Sequence, residues 1–145
     1  MTNLAPYFEV CRYSVMSERD EHGSRVRAIV EVKVGLYHVR RSSTGAGPVH
    51  ALDNALRGCL QRDFPELDGI QLSDYRVGMV DATHGTAAQV RVTIEATDGD
   101  QTWTAGCVAH NIVDASFEAL CSSALIGIMR ARSAGPSPVA VPVAR

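Results

Sequence analysis

The sequence predicts an α+β fold of two β-β-β-α units, each an antiparallel three-stranded sheet with one helix, related by an internal pseudo-two-fold. Two observations predict it. First, Phe8, Val10, Tyr13 and Val15 recur as Ile70, Leu72, Tyr75 and Val77, each pair 62 positions apart. Constant spacing over several apolar positions marks a duplicated supersecondary unit. Second, within each copy the apolar pattern switches from the two-residue period of strands to the 3.6-residue period of helices. The units are expected at 7–60 and 70–130, inside a domain of residues 1–132.

Each unit opens with the strand just named. Leu72 is out of phase with Tyr75 and Val77, which predicts a bend or bulge near Ser73. The second strand alternates strictly: Val26, Ala28, Val30, Val32 and Val34 answer to Ala88, Val90, Val92, Ile94 and Ala96 at the same spacing. Between first and second strands lie ERDEHGS and DATHGT, both with His-Gly near the end and both read as hairpin connections. A third short strand follows at 36–41 and at 101–108.

Helical spacing then takes over. Val49, Ala51, Ala55 and Leu56 answer to Val113, Ala115, Ala119 and Leu120, now 64 apart, so the second copy has gained two residues before its helix. Gly47-Pro48 starts the first helix, since proline suits its first position. Asn111 caps the second, with Asp114 near its positive end. On the second helix Ala115, Ser116, Ala119, Ser123 and Gly127 lie close to one side and admit a near neighbour. QRDFPELDG at 61–69 links the units, and SAGPSPVAVPVAR at 133–145 has no period and is expected to be disordered.

The bulk properties narrow the function. A chain of 145 residues, 46% hydrophobic and 21% charged, is the size of one domain, able to bury about two-thirds of its unfolded surface. A net charge of -2 without a basic stripe argues against a nucleic-acid partner. Apolar runs are broken well short of the about 20 residues a bilayer crossing needs, and the N-terminus lacks a signal-peptide pattern. A cytoplasmic protein with no membrane partner is therefore expected. Cys11, Cys59, Cys107 and Cys121 form no CxxC pair and are read as small buried hydrophobes in a reducing compartment.

No constellation for chemistry emerges. The five histidines show no HxH, HxxxH or HExxH spacing, and Cys107 with His110 would still need two further ligands for zinc, so no metal site is expected. His50 and Asp53 lie one turn apart, yet no motif places a nucleophile beside them. GxGxxG, GxSxG and GKS/T are absent. No catalytic residue and no cofactor is expected. What remains is a pair of helix starts with free N–H groups and positive dipole ends. Beside an apolar strand face, they suit a small zwitterion with an apolar side chain.

Three segments carry a resemblance: GAGPVHALDNALRGCL, FPELDGIQLSDYRVGMVDATHGTAAQVRVTIEATDGD and WTAGCVAHNIVDASFEAL. In this order they resemble the C-terminal regulatory (dimerisation) domain of α-isopropylmalate synthase and of its relative citramalate synthase, over nearly all of 7–130. The resemblance implies a homodimer of two β-β-β-α units that binds leucine or isoleucine as feedback inhibitor of branched-chain amino acid biosynthesis. Carried over by position, the effector site would hold Val49 and His50 at the first helix start, Leu72, Tyr75 and Met79 on the second unit's first strand, and Thr86 and Ala88 after the hairpin. Val77 shares that strand's face and is read as core. Tyr75, with a hydroxyl to satisfy, is the better pocket wall.

Two departures from the family shape the expectation. The catalytic barrel, with its metal-binding HxH motif and acyl-CoA site, has no counterpart here, so the chain is expected not to be a synthase by itself. It is expected to act on a separate catalytic synthase subunit. Where the family has glycine in the turn before the second helix, this chain has Cys107-Val108-Ala109. With the bulky Met79, that change favours the alternative, a dimerisation or interaction module of the same fold with no ligand.

Overall fold

The computed structural model describes residues 7–134. Its elements run β1 (Glu9–Asp20), β2 (Gly23–Val34), β3 (Tyr37–Gly45), α1 (Pro48–Leu60), β4 (Gln71–Met79), β5 (Val90–Thr97), β6 (Thr102–Ala109) and α2 (Ile112–Ala134). The strands form two antiparallel sheets, β1-β2-β3 and β4-β5-β6, each followed by its helix. This is the duplicated α+β architecture that the sequence predicts.

Alternation on the central strands creates the inner faces. Val26, Ala28, Val30 and Val32 of β2 and Val92, Ile94 and Ala96 of β5 are buried, while the charged residues between them face outward. Each large aliphatic side chain buried this way contributes about 1.5–3 kcal/mol. α1 lies on β2 and β3, α2 lies on β5 and β6, and the helices touch each other, so one core runs through both units. α1 presents Ala51, Leu52, Ala55, Leu56, Cys59 and Leu60 to it, the stripe of an amphipathic helix. The small residues of α2 do admit a close neighbour. A Cβ on Gly127 would stand 2.5 Å from Ile70 Cδ1 and 3.1 Å from Trp103 Cζ2, and the Trp103 indole donates to the Ser123 carbonyl at 3.2 Å.

Both helix starts fall where expected. Pro48 follows the extended Gly47, and Asn111 Oδ1 accepts from the N–H groups of Val113 at 2.8 Å and Asp114 at 3.3 Å. The bulge expected near Ser73 is present as a register shift between Leu72 and Asp74. An equivalent shift lies between Val10 and Arg12, 62 positions earlier. The repeat extends to the turns as well. Among the described residues, the glycines with positive φ are Gly23 and Gly85, 62 apart, and Gly35 and Gly99, 64 apart. The two extra residues of the second unit therefore sit in its β5-β6 turn, between Ala96 and Gly99.

Several boundaries differ from expectation. β1 runs to Asp20 and β2 starts at Gly23, so most of ERDEHGS is strand with a tip at Glu21 and His22. DATHGT is no tight hairpin: a 3-10 segment at Ala82–Ala87 carries the chain between β4 and β5. β3 starts one residue late and continues four residues past Arg41, because Ser42, Ser43 and Thr44 remain paired with Ile29, Ala28 and Arg27. A polar run reads as a loop even when its backbone satisfies a ladder. The 61–69 linker contains a 3-10 turn, Pro65–Gly69.

α2 also departs from the expectation of short apolar runs, since Ile112–Ser133 is long and apolar enough by composition to cross a bilayer. More than half of that stretch is buried against β5, β6 and α1, the pattern of a core helix. It continues through Ser133 and Ala134. The rest of the expected irregular tail, 135–145, lies outside the described residues.

Candidate functional site

The candidate site forms where the inner face of the second sheet runs out of cover. Register sets Tyr75 opposite Ile94, Val77 opposite Val92, and Met79 opposite Val90, and β6 continues these rows with Ala105, Cys107 and Ala109. α2 covers the β5 and β6 side of each row. On β4, the edge strand, Tyr75, Val77 and Met79 remain 39%, 43% and 54% exposed. Val77, expected in the core, is therefore a surface residue. The alternation places it on the inner face correctly, but no element among the described residues covers it. Val108 and Ile112 are likewise exposed where β6 passes into α2.

The bulge before Asp74 brings Leu72 onto the same face as Tyr75. Leu72 is half-buried in a crevice with Asp53 and Leu56 of α1 and Leu120 of α2, so this end of β4 reaches both helices. Tyr75 is held from the α2 side, its hydroxyl oxygen 2.8 Å from Ser116 Oγ. Past Met79 the chain enters the 3-10 segment, where Asp81 accepts from the Thr83 hydroxyl at 2.6 Å and pairs with His84 at 2.8 Å. The Thr83 hydrogen bond, ahead of burial and the other contacts, holds the Asp81 carboxyl below its usual range. Thr86 is exposed on this segment and Ala88 is buried at its end. The His110 ring, just before α2, donates from Nδ1 to the Ala87 carbonyl at 3.1 Å and ties the segment to the helix start.

Val49 and His50 stand at the start of α1 in the first unit, the valine half-buried and the histidine exposed. His50 Nδ1 accepts the Ala46 N–H at 2.9 Å and closes the turn into the helix. Asp53 one turn on takes Arg57 at 3.1 Å, so His50 and Asp53 form no acid-base pair. Among the seven residues the sequence suggests, β4 unites Leu72, Tyr75 and Met79, and its exit adds Thr86 and Ala88. The cavities that stand out do not join Val49 or His50 to them.

Two neighbours of the site went unread in the sequence. In the sequence Ser116 reads only as a small helix residue, and Ile112 carries no signal beyond being apolar. Cys107, on the inner face of β6, is partly buried, and that burial raises its thiol pKa. His110 is engaged with Ala87 rather than with Cys107. Among the described residues no group of three or more His, Cys, Asp or Glu side chains is placed to hold a metal ion.

Comparison with known proteins fits this architecture. A family model described as "LeuA allosteric (dimerisation) domain" matches residues 2–125. The (R)-citramalate synthase of Geobacter sulfurreducens is 40% identical over 119 residues, 81% of this chain and 22% of that protein. The (R)-citramalate synthase of Aquifex aeolicus is 36% identical over 128 residues, 88% of this chain and 24% of that protein, and that of Streptomyces coelicolor 36% over 126 residues. The chain thus spans about a quarter of the length of these relatives. The segments GPVHALDNAL and NIVDAS, which carry the resemblance in the sequence, fall within the residues that the family model matches. The chain belongs to the family of LeuA allosteric (dimerisation) domains.

Proposed function

We propose that this chain is an amino-acid-sensing regulatory domain that binds leucine or isoleucine and acts, as a homodimer in the cytoplasm, on a separate catalytic subunit of the 2-isopropylmalate or citramalate synthase type. The observation that carries the reading is the uncovered apolar strip of β4, Tyr75, Val77 and Met79, in a chain whose relatives are citramalate synthases. A branched aliphatic side chain fits such a strip, and its ammonium and carboxylate need polar partners of the kind found at helix starts and in the 82–87 segment. Synthase activity would belong to the partner.

Isothermal titration of the purified chain with leucine, isoleucine and valine, beside thermal unfolding, tests the proposal. Saturable binding of one of them with a raised melting temperature supports it; no heat and no shift sink it. A second reading has its own support. Val77, Met79 and Val80, on or just past the edge strand β4, are all exposed, which suits a surface closed by a second copy without any ligand. A dimer that binds none of the three amino acids would establish that reading. One methyl shift in an apolar pocket changes affinity by only about 1–3 kcal/mol, so the titrations must compare leucine and isoleucine directly.

A further inference from the structure

Tyr13 and Tyr75 occupy equivalent places in the two units, 62 positions apart, each on the first strand of its sheet. Their surroundings differ. The Tyr13 ring is half-buried and stacks on Phe117 of α2, with centroids 4.4 Å apart. Tyr75 is 39% exposed, and its hydroxyl oxygen lies 2.8 Å from the Oγ of Ser116, a fully buried residue next to Phe117. A serine inside a helix ordinarily turns its hydroxyl to the carbonyl one turn back. Here the hydroxyl meets the edge strand instead. In α1 the counterpart of Ser116, 64 positions earlier, is Leu52, which has no hydroxyl to offer.

Water can satisfy a phenol as exposed as that of Tyr75, so burial does not force the bond. What the bond does is fix the ring. An aromatic wall ordered before binding costs less conformational entropy when the ligand arrives. The fixed ring flanks Val77 and Met79, which share its face and stand open.

We propose that Ser116 is the positioning residue of the effector site: its hydroxyl holds the Tyr75 ring as a preformed wall, and each chain carries one such site, in the second unit. The inference rests on the reading that the β4 face binds a branched-chain amino acid. Ser116 acts through Tyr75 and is buried beneath it. The first unit lacks the arrangement, since its Tyr13 is engaged by Phe117 and the Leu52 side chain cannot hydrogen-bond.

Calorimetric titration of the intact chain with leucine and isoleucine, run with thermal unfolding, tests this on Ser116→Ala, Tyr75→Phe and the double variant. Alanine is the better helix former, and the freed phenol can turn to water, so all three are expected to melt within a few degrees of the parent. Affinity is expected to fall about three- to tenfold in each single variant, the cost of ordering one side chain when the ligand arrives rather than before. The double variant should lose no more, because both changes remove the same bond. The stoichiometry should be one effector per chain. Binding by the parent with unchanged affinity in Ser116→Ala, or losses that add in the double variant, overturns the positioning role and leaves the effector site standing. Two molecules bound per chain overturns the single-site assignment. Should Ser116→Ala fail to fold, Tyr75→Phe decides alone, and unchanged affinity there overturns the role. A parent chain that binds neither amino acid removes the effector reading and this inference together.

Discussion

Gly45 closes β3 directly beneath the start of α1, and its replacement by alanine gives the sharpest test of how the first unit is built. A Cβ at this position would lie 2.4 Å from the Ala51 nitrogen, 2.8 Å from its Cα and 2.9 Å from the His50 carbonyl carbon. All three are backbone atoms, so no rotamer change relieves the contact. The helix start must move about 1 Å outward to restore ordinary van der Waals separation. The second unit indicates that such a move is tolerable, because Ala109 stands 64 positions after Gly45, at the same place before α2. The cost is therefore that of overpacking a fitted contact, about 2 kcal/mol. For a chain of this size that lowers the melting temperature by roughly 4–8 °C. Gly78→Ala is the control, since nothing lies within 4 Å of its Cβ and its φ is not positive. It should melt at or slightly above the parent because the unfolded chain loses freedom. Urea unfolding should move the midpoint of Gly45→Ala without changing its slope. Equal melting of the two alanine variants would refute the close seating of α1 on β3.

Other perturbations separate core, site and surface. Val92→Asp buries a charge between Val77 and Cys107 with no partner; it should unfold the domain by circular dichroism, while Tyr75→Ala should stay folded and lose effector binding in titration. If both variants only unfold the chain, the placement of the site on β4 is wrong. Thiol reagent at neutral pH should titrate the exposed Cys11 first and Cys107 more slowly. Cys59, whose thiol burial pushes up to about 11, and Cys121, also raised by burial, should react only on unfolding. Four equally fast thiols would contradict the packing of α1 and α2. Burial pushes the Glu66 carboxyl upward, but the Arg132 hydrogen bond at 2.6 Å, a backbone bond and the guanidinium charge outweigh it and leave it below 4.5. A lowered folded value means the contribution is full above 4.5 and is lost as pH falls through the folded value. The melting gap between the parent and Glu66→Gln should therefore be present at pH 7 and close on the acid side of 4.5, and a gap that persists there would rule out the ion pair as its source.

What the sequence made legible follows from which physical rules are local. Strand period and helix period are local, so β2, β5 and both helix starts were readable, and the phase of Leu72 located a bulge whose twin at Cys11 obeys the same repeat. Cover is not local. Alternation tells which face Val77 lies on, but whether a helix lies over that face depends on where α2 crosses a sheet formed tens of residues away. The sequence pattern accordingly points Val77 at a core it does not enter. The same limit hid Ser116. Its small side chain signalled close approach, while its bond to Tyr75, 41 positions earlier, exists only because the bulge and the register turn that ring toward α2. The repeat offers one signal that could have exposed it. Two units of the same plan, folded by the same pattern, differ at the pair Tyr13–Leu52 against Tyr75–Ser116. In a duplicated fold, a polar residue that replaces an apolar core position in one copy only costs burial of a hydroxyl unless something meets it. That asymmetry, set beside a tyrosine common to both copies, is the sequence signal that points to the second unit as the place of the proposed effector site.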